Sequence, residues 1–189
     1  MLDELPLETA RVAVTPAANH LFEVTEFCVR LKTSEAELFY HNFSKSLFLC
    51  KHARPDIQTT VALLCTWVKS PDQDDYKKLA QTMKCLHHTQ LMPLTLEASD
   101  MNVVKWWVDA SFAGHPNMRS HAGGIMTLVS CGLYAVSTKQ KLNTRSSTES
   151  ELIGLHDVMP LLKRNFQQAQ DYENNVRVVG QDNQSAILL

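Results

Sequence analysis

Apolar and polar positions along this chain follow a helical period before about residue 95 and a strand-like one after residue 100. From Ser34, the residues Leu38, Phe39, Phe43, Leu47 and Phe48 recur three to five apart, as on one face of an amphipathic helix. Ser34 followed by Glu37 reads as a capping box, and Pro55 predicts an end near His52. A second helix is expected from Pro55–Asp56, since a proline and an acid suit a first turn. It runs through Ile57, Val61, Leu64 and Val68 to about Lys69. Pro71 with Asp72, Asp74 and Asp75 opens a third, which faces the core with Tyr76, Leu79, Met83 and Leu86 and frays over His87 to Gln90. Residues 1–33, interrupted by Pro6 and Pro16, predict irregular structure with at most a short strand.

Pro93 and the polar run Glu97 to Asn102 mark a boundary. Beyond it, Val103 to Phe112 suits a strand, and Gly114, His115 and Pro116 a turn. Gly123–Gly124 leads into a second strand, Ile125 to Val129. Cys131–Gly132 reads as a tight turn into a third, Leu133 to Thr138. A helix is expected from Ser146 or Ser147 to about Gln170, with a kink at Pro160. A strand over Val176 to Gly180 and a helix starting at Asn183 complete the pattern. The fold class is α/β: a helical subdomain over 34–96 after an irregular segment 1–33, then a mixed sheet with helices over 100–189.

Composition adds bounds. At 189 residues, 44% hydrophobic and 20% charged, the chain is an ordinary globular one. No apolar run approaches the ~20 residues of a membrane span, and the acidic start MLDELPLE is unlike a secretory signal. Cys28, Cys50, Cys65, Cys85 and Cys131 are odd in number and form no CxxC pair. They read as reduced, mostly buried thiols of an intracellular protein. A net charge of −2 does not advertise a nucleic-acid binder, so any such contact needs a local patch. The best is TKQKLNTR, where Lys139, Lys141 and Arg145 face no acid; a solvated turn is the alternative.

Three carboxylate-bearing blocks carry the chemistry: WWVDASFAG (106–114), SSTESEL (146–152) and QDNQSAI (181–187). Asp109 interrupts an apolar, aromatic strand, so it sits on a solvated edge or is held for a ligand. Glu149 lies three residues after Ser146 and fits a capping role. Glu151 instead shares a helical face with Leu155, Val158 and Leu162, which points an acid into the protein. Asp182 follows a strand expected to be parallel, at the end where ligand sites of open α/β sheets lie; it also suits a helix N-cap. Carboxylates from two strands and a helix that converge on one point suit a hard divalent cation.

These blocks, DASFAG, KQKLNTRSSTESEL and DNQSAI in that order, resemble the RNase H domain of copia-type retrotransposon Pol polyproteins. The segment His52 to Met83 is similar to the helical connection between reverse transcriptase and RNase H in the same polyproteins, and together the resemblance covers roughly residues 35–189. It implies an RNase H-like mixed sheet, truncated at its C-terminus, and metal-dependent hydrolysis of the RNA strand of RNA–DNA hybrids. Asp109, Glu151 and Asp182 would hold two Mg²⁺ ions, or Mn²⁺. Ser111, Asn183 and Ser185 would contact substrate beside the acids, with Lys139, Lys141 and Arg145 as a basic patch. Implied partners are the hybrid and the rest of the polyprotein, with no membrane, in a cytoplasmic particle or the nucleus. The paired-aspartate strand of a polymerase palm is absent from this sequence. The family continues past the point corresponding to Leu189 with a fourth acidic or histidine ligand, so the expectation here is a weakly held second ion. His115 stands where many relatives carry an acid. The alternative is a catalytically inactive remnant that keeps the fold and at most binds nucleic acid.

Overall fold

The computed structural model describes residues 13–17, 19–25, 27–95, 103–128, 131–168 and 176–180. The chain forms two compact units, Met1–Leu94 and Thr95–Leu189. No helix among the described residues is long and apolar enough to cross a membrane.

The first unit is helical: α1 (Thr33–His52), a 3-10 turn (Pro55–Ile57), α2 (Gln58–Cys65) and α3 (Gln73–His88). Phe39, Phe43 and Cys50 meet Ile57, Val61 and Leu64, and Leu79, Met83 and Leu86, in one buried cluster. The helical repeat therefore marks the packed faces, though it overreaches on α1. Phe48 is largely exposed and stacks on His52 with ring centroids 4.1 Å apart.

Helix ends differ from expectation for local reasons. The capping residue of α1 is Lys32, not Ser34, and Lys32 N–H donates to Glu35 Oε2 at 3.1 Å. Lysine offers no acceptor in return, so only that half of a capping box forms. α2 stops at Cys65, short of Lys69, because Thr66 Oγ1 donates to Leu63 O at 2.7 Å and the next amides bond three residues back. α3 has the expected acidic start. Asp72 Oδ1 accepts from Asp74 N–H at 2.8 Å and Asp75 N–H at 2.9 Å, and Asp72 N–H donates to Asp75 Oδ2 at 3.1 Å.

The irregular stretch before α1 is tied to α3 by side chains. Lys78 Nζ donates to Glu23 O at 2.6 Å, Gln81 Nε2 to Thr15 O at 3.0 Å and Thr82 Oγ1 to Pro16 O at 3.0 Å. Such anchoring has no period, so the sequence pattern gave no sign of it. Cys50 and Cys85 are buried, as a reduced-thiol reading expects, but Cys65 is exposed.

The second unit is a four-stranded sheet in the order β3-β2-β1-β4, built from β1 (Val103–Ser111), β2 (His121–Leu128), β3 (Cys131–Lys139) and β4 (Val176–Gly180), with α4 (Ser147–Gln168) between β3 and β4. β1, β2 and β3 pair antiparallel, and β4 runs parallel to β1. This is the mixed α/β fold the pattern indicates, with the helical unit first.

Strand β2 starts earlier than expected, and the expected turn at Cys131–Gly132 lies inside β3. Gly123 and Gly124 lie within β2, paired with Asp109 and Val108. A Cβ on Gly124 would stand 3.1 Å from Val136 Cγ1 and 3.3 Å from Val158 Cγ2, so glycine lets α4 approach the sheet. Cys131 and Gly132 pair with Leu128 and Thr127, beside a register shift at Met126/Thr127. Alternation also sorts the adjacent tryptophans. Trp106 is buried with Val108 and Val158, while Trp107 is half exposed and its ring covers Gly180, its partner on β4.

Asp75 makes the first unit pH-sensitive. Burial pushes its carboxyl up from 3.8 to about 6; Asp72 and Asp74 add to the effect, and the Asp72 N–H and Lys78 oppose it. Between those values the folded chain holds a proton that the unfolded chain has released, so this group lowers stability as pH rises. Asp75→Asn keeps an acceptor for the Asp72 N–H. Its stability relative to wild type, followed by urea unfolding, is expected to rise by on the order of 2 kcal/mol from pH 4 to pH 7. A difference independent of pH would contradict this.

Candidate active site

β1 carries Asp109 out of its apolar run by simple alternation. Trp106, Val108 and Ala110 face α4, while Trp107, Asp109 and Ser111 face the other way. The last described pair between β1 and β4 is Trp107–Gly180. Ala110 lies three residues further on, past the end of that ladder. Its N–H is taken by two carboxylates at once: Asp109 Oδ1 at 2.9 Å and Glu151 Oε1 at 3.2 Å. Arms of that length from one nitrogen hold the two oxygens within about 6 Å of each other. Asp109 is exposed and Glu151 is 5% exposed, so the pair joins a solvent-facing acid to a buried one.

Glu151 reaches this point because α4 lies close to the sheet. A Cβ on Gly154 would meet Ala110 Cβ at 3.4 Å and Ala122 Cβ at 3.6 Å. Val158 is buried and Leu155 packs against the same cluster, as the shared helical face requires; the Leu162 side chain lies outside the described ones. Glu149 has the capping role. Its Oε2 accepts from Arg145 N–H at 2.6 Å, and Ser146 Oγ accepts from Glu149 N–H at 3.2 Å.

A buried polar network fixes where α4 begins. Gln140 Nε2 donates to Ser150 O at 2.8 Å and Gln140 N–H donates to Ser120 O at 2.9 Å. The hydroxyls of Ser120 and Thr144 share a hydrogen bond of 2.8 Å. Gln140, Ser120 and Ser150 are fully buried. Sequence reasoning did not single out these residues, because a lone polar residue beside charged neighbours has no distinguishing period.

Nor did it link His115 and His121. Their rings are buried, with His115 Nε2 and His121 Nδ1 3.0 Å apart and His121 Nε2 2.6 Å from Ser137 Oγ. The β1–β2 turn brings them together. His115 N–H donates to Arg119 O, Met118 N–H to His115 O, and Ala113 N–H to Ser120 Oγ. Ala113 and Met118 adopt the left-handed region, φ 51° and 60°, which costs a non-glycine residue about 1 kcal/mol.

The remaining expected site residues fall into two groups. Ser111 is exposed at the end of β1, Lys139 ends β3, and Lys141 and Arg145 are exposed before α4. Asp182, Asn183 and Ser185 lie outside the described residues. Among those described, no group of three or more His, Cys, Asp or Glu stands ready to hold a metal ion. Asp109 and Glu151 nonetheless fit a hard divalent cation in donor type: two carboxylates, one shielded from water, held side by side.

Burial pulls the His115 imidazole down from 6.5 to about 4, with Lys139 adding to it; His121 falls equally, through burial, then His115 and Lys139. The unfolded chain takes up these protons near 6.5 and the folded chain only near 4. Their contribution is therefore complete above 6.5 and is lost as pH falls, by on the order of 3 kcal/mol per ring. In the ring NMR spectra of the eight histidines, His115 and His121 are expected to stay neutral to near pH 4. Titration of both near 6.5 would contradict the buried pairing. Comparison with protein-family models, with curated proteins and with solved structures returns no match to this chain.

Proposed function

We propose that this chain is a metal-dependent nuclease of RNase H type, derived from a copia-type retrotransposon Pol polyprotein, that hydrolyses the RNA strand of RNA–DNA hybrids. What carries the reading is the meeting of Asp109 and Glu151 on the Ala110 N–H. Two acids from separate blocks, 42 positions apart by their numbers, need a common reason to share one donor. The β1/β4 register adds support: Asp109 comes two residues after Trp107, and Asp182 two residues after Trp107's partner Gly180. In this reading Asp182 completes the set.

Mg²⁺ would supply activation of the attacking water and stabilisation of the leaving oxygen. The chain's own residues do the rest. Glu151, buried against β1, is a fixed oxygen donor whose position follows from α4. Asp109 faces solvent and is the acid that substrate meets first. The shared N–H orients both carboxylates. Ser111, on the same face two residues beyond Asp109, is placed to contact the substrate backbone, and selection of RNA rests on the 2′-hydroxyl. The hybrid is the substrate, and the remaining segments of the polyprotein are the expected partners.

Cleavage of a labelled RNA–DNA hybrid tests this. With Mg²⁺ or Mn²⁺ the RNA strand alone is cut; EDTA abolishes cutting, and Asp109→Asn or Glu151→Gln lowers it at least a hundredfold, as expected when a metal-holding carboxylate is lost. No cleavage by the folded chain would leave instead a remnant that at most binds nucleic acid.

A further inference from the structure

Between Asp109 and Glu149 the chain carries no acid at all, yet it contains Arg119, Lys139, Lys141 and Arg145. The fold gathers three of these at one place. β2 and β3 pair up to His121–Lys139, and the Gln140 N–H to Ser120 O hydrogen bond carries the pairing one residue further. Arg119 and Lys141 are the next residues on the two arms, and Lys139 is the diagonal neighbour of Arg119. Cross-strand partners share a face. Lys139 therefore stands on the face that carries His121, Ser111 and Asp109, opposite α4.

Like charges are held together here. Neither Arg119 nor Lys139 has a carboxylate partner among the described residues. Burial, then the nearby Arg119 guanidinium, pulls the Lys139 ammonium below its ordinary value. His115 and His121, beside Lys139, are held neutral, so they add no third positive charge and supply no negative one. Arg119 directly follows Met118, whose left-handed backbone is fixed by the turn's hydrogen bonds. A strained turn that brings a second cation up to a half-buried lysine is a cost that a bound anion offsets.

We propose that Arg119 and Lys139 together hold one backbone phosphate of a nucleic-acid strand lying across the open face of the sheet. Asp109, the solvent-facing member of the carboxylate pair, lies on β1, two strands from Lys139, or about 10 Å across the sheet. The phosphate held is thus a neighbour of the one attacked, and the subsite positions the strand without taking part in the chemistry. The inference deepens the nuclease reading, but it is tested apart from it.

The test is binding of a fluorescent RNA–DNA hybrid to the full chain in EDTA, where no cleavage occurs, over a range of salt. Arg119→Gln and Lys139→Gln are each expected to weaken binding roughly fivefold and to flatten the dependence of log affinity on log salt by about 0.7–0.9, the loss of one phosphate contact. Lys69→Gln, an exposed cation of the helical unit, is expected to leave both unchanged. Wild-type affinity and slope in the Arg119 and Lys139 variants would overturn the subsite, as would a folded wild-type chain that shows no salt-dependent binding. Cleavage in Mg²⁺ with unaltered slopes sinks the subsite alone. Altered slopes without cleavage sink the nuclease reading alone.

Discussion

The Ala110 N–H, past the last described pair of β1 with β4, is the donor around which the second unit is arranged. A buried backbone donor without a partner costs on the order of 1–3 kcal/mol. Here the partners are Asp109 from the next residue back and Glu151 from α4. A hydrogen bond to a carboxylate is stronger than one to a carbonyl, so the position is well satisfied. It also fixes two acids side by side, the donor type that a hard divalent cation takes. The same bond that completes the strand thus prepares the site.

For Glu151 to arrive there, α4 must lie close to the sheet at a fixed height. Closeness comes from small residues: Gly154 against Ala110 and Ala122, and Gly124 against Val136 and Val158. Height comes from the corner after β3, where Gln140, Ser120, Thr144 and Ser150 hold one another and Glu149 bonds the Arg145 N–H. Buried hydrogen bonds of this kind specify one arrangement where apolar packing alone would tolerate sliding, with Gln140 Oε1 left without a partner among the described residues. The KQ…SSTE block is therefore legible twice: as a corner that sets the helix and as the carrier of its acid.

Much of this was readable from the residues. The periodicity of Phe39, Phe43, Val61, Leu64, Leu79 and Met83 marked the helical core, and the choice of Glu151 over Glu149 followed from which acid shared a face with Leu155 and Val158. What the sequence hid depends on non-local contact. Gly123–Gly124 reads as the approach to a strand until the closeness of Val158 explains a glycine inside one. Nothing in the sequence pattern links His115 to His121, and only the fold of the turn between them joins their rings. Arg119 lay alone in a polar stretch. Its meaning depends on Lys139, which the hairpin register brings beside it.

Two charge environments mark the second unit: Asp109 of β1 meeting the buried Glu151 of α4, and an acid-free basic corner where β2 and β3 end. Metal-dependent hydrolysis requires the first of these to be a cation site. The most direct test is Mn²⁺ titration followed by paramagnetic broadening of backbone amide signals. The Ala110 amide should broaden first, with Asp109 and Glu151, and Glu151→Gln should remove the effect while leaving the spectrum folded. Broadening centred elsewhere, or an Ala110 signal indifferent to Mn²⁺, would contradict the account.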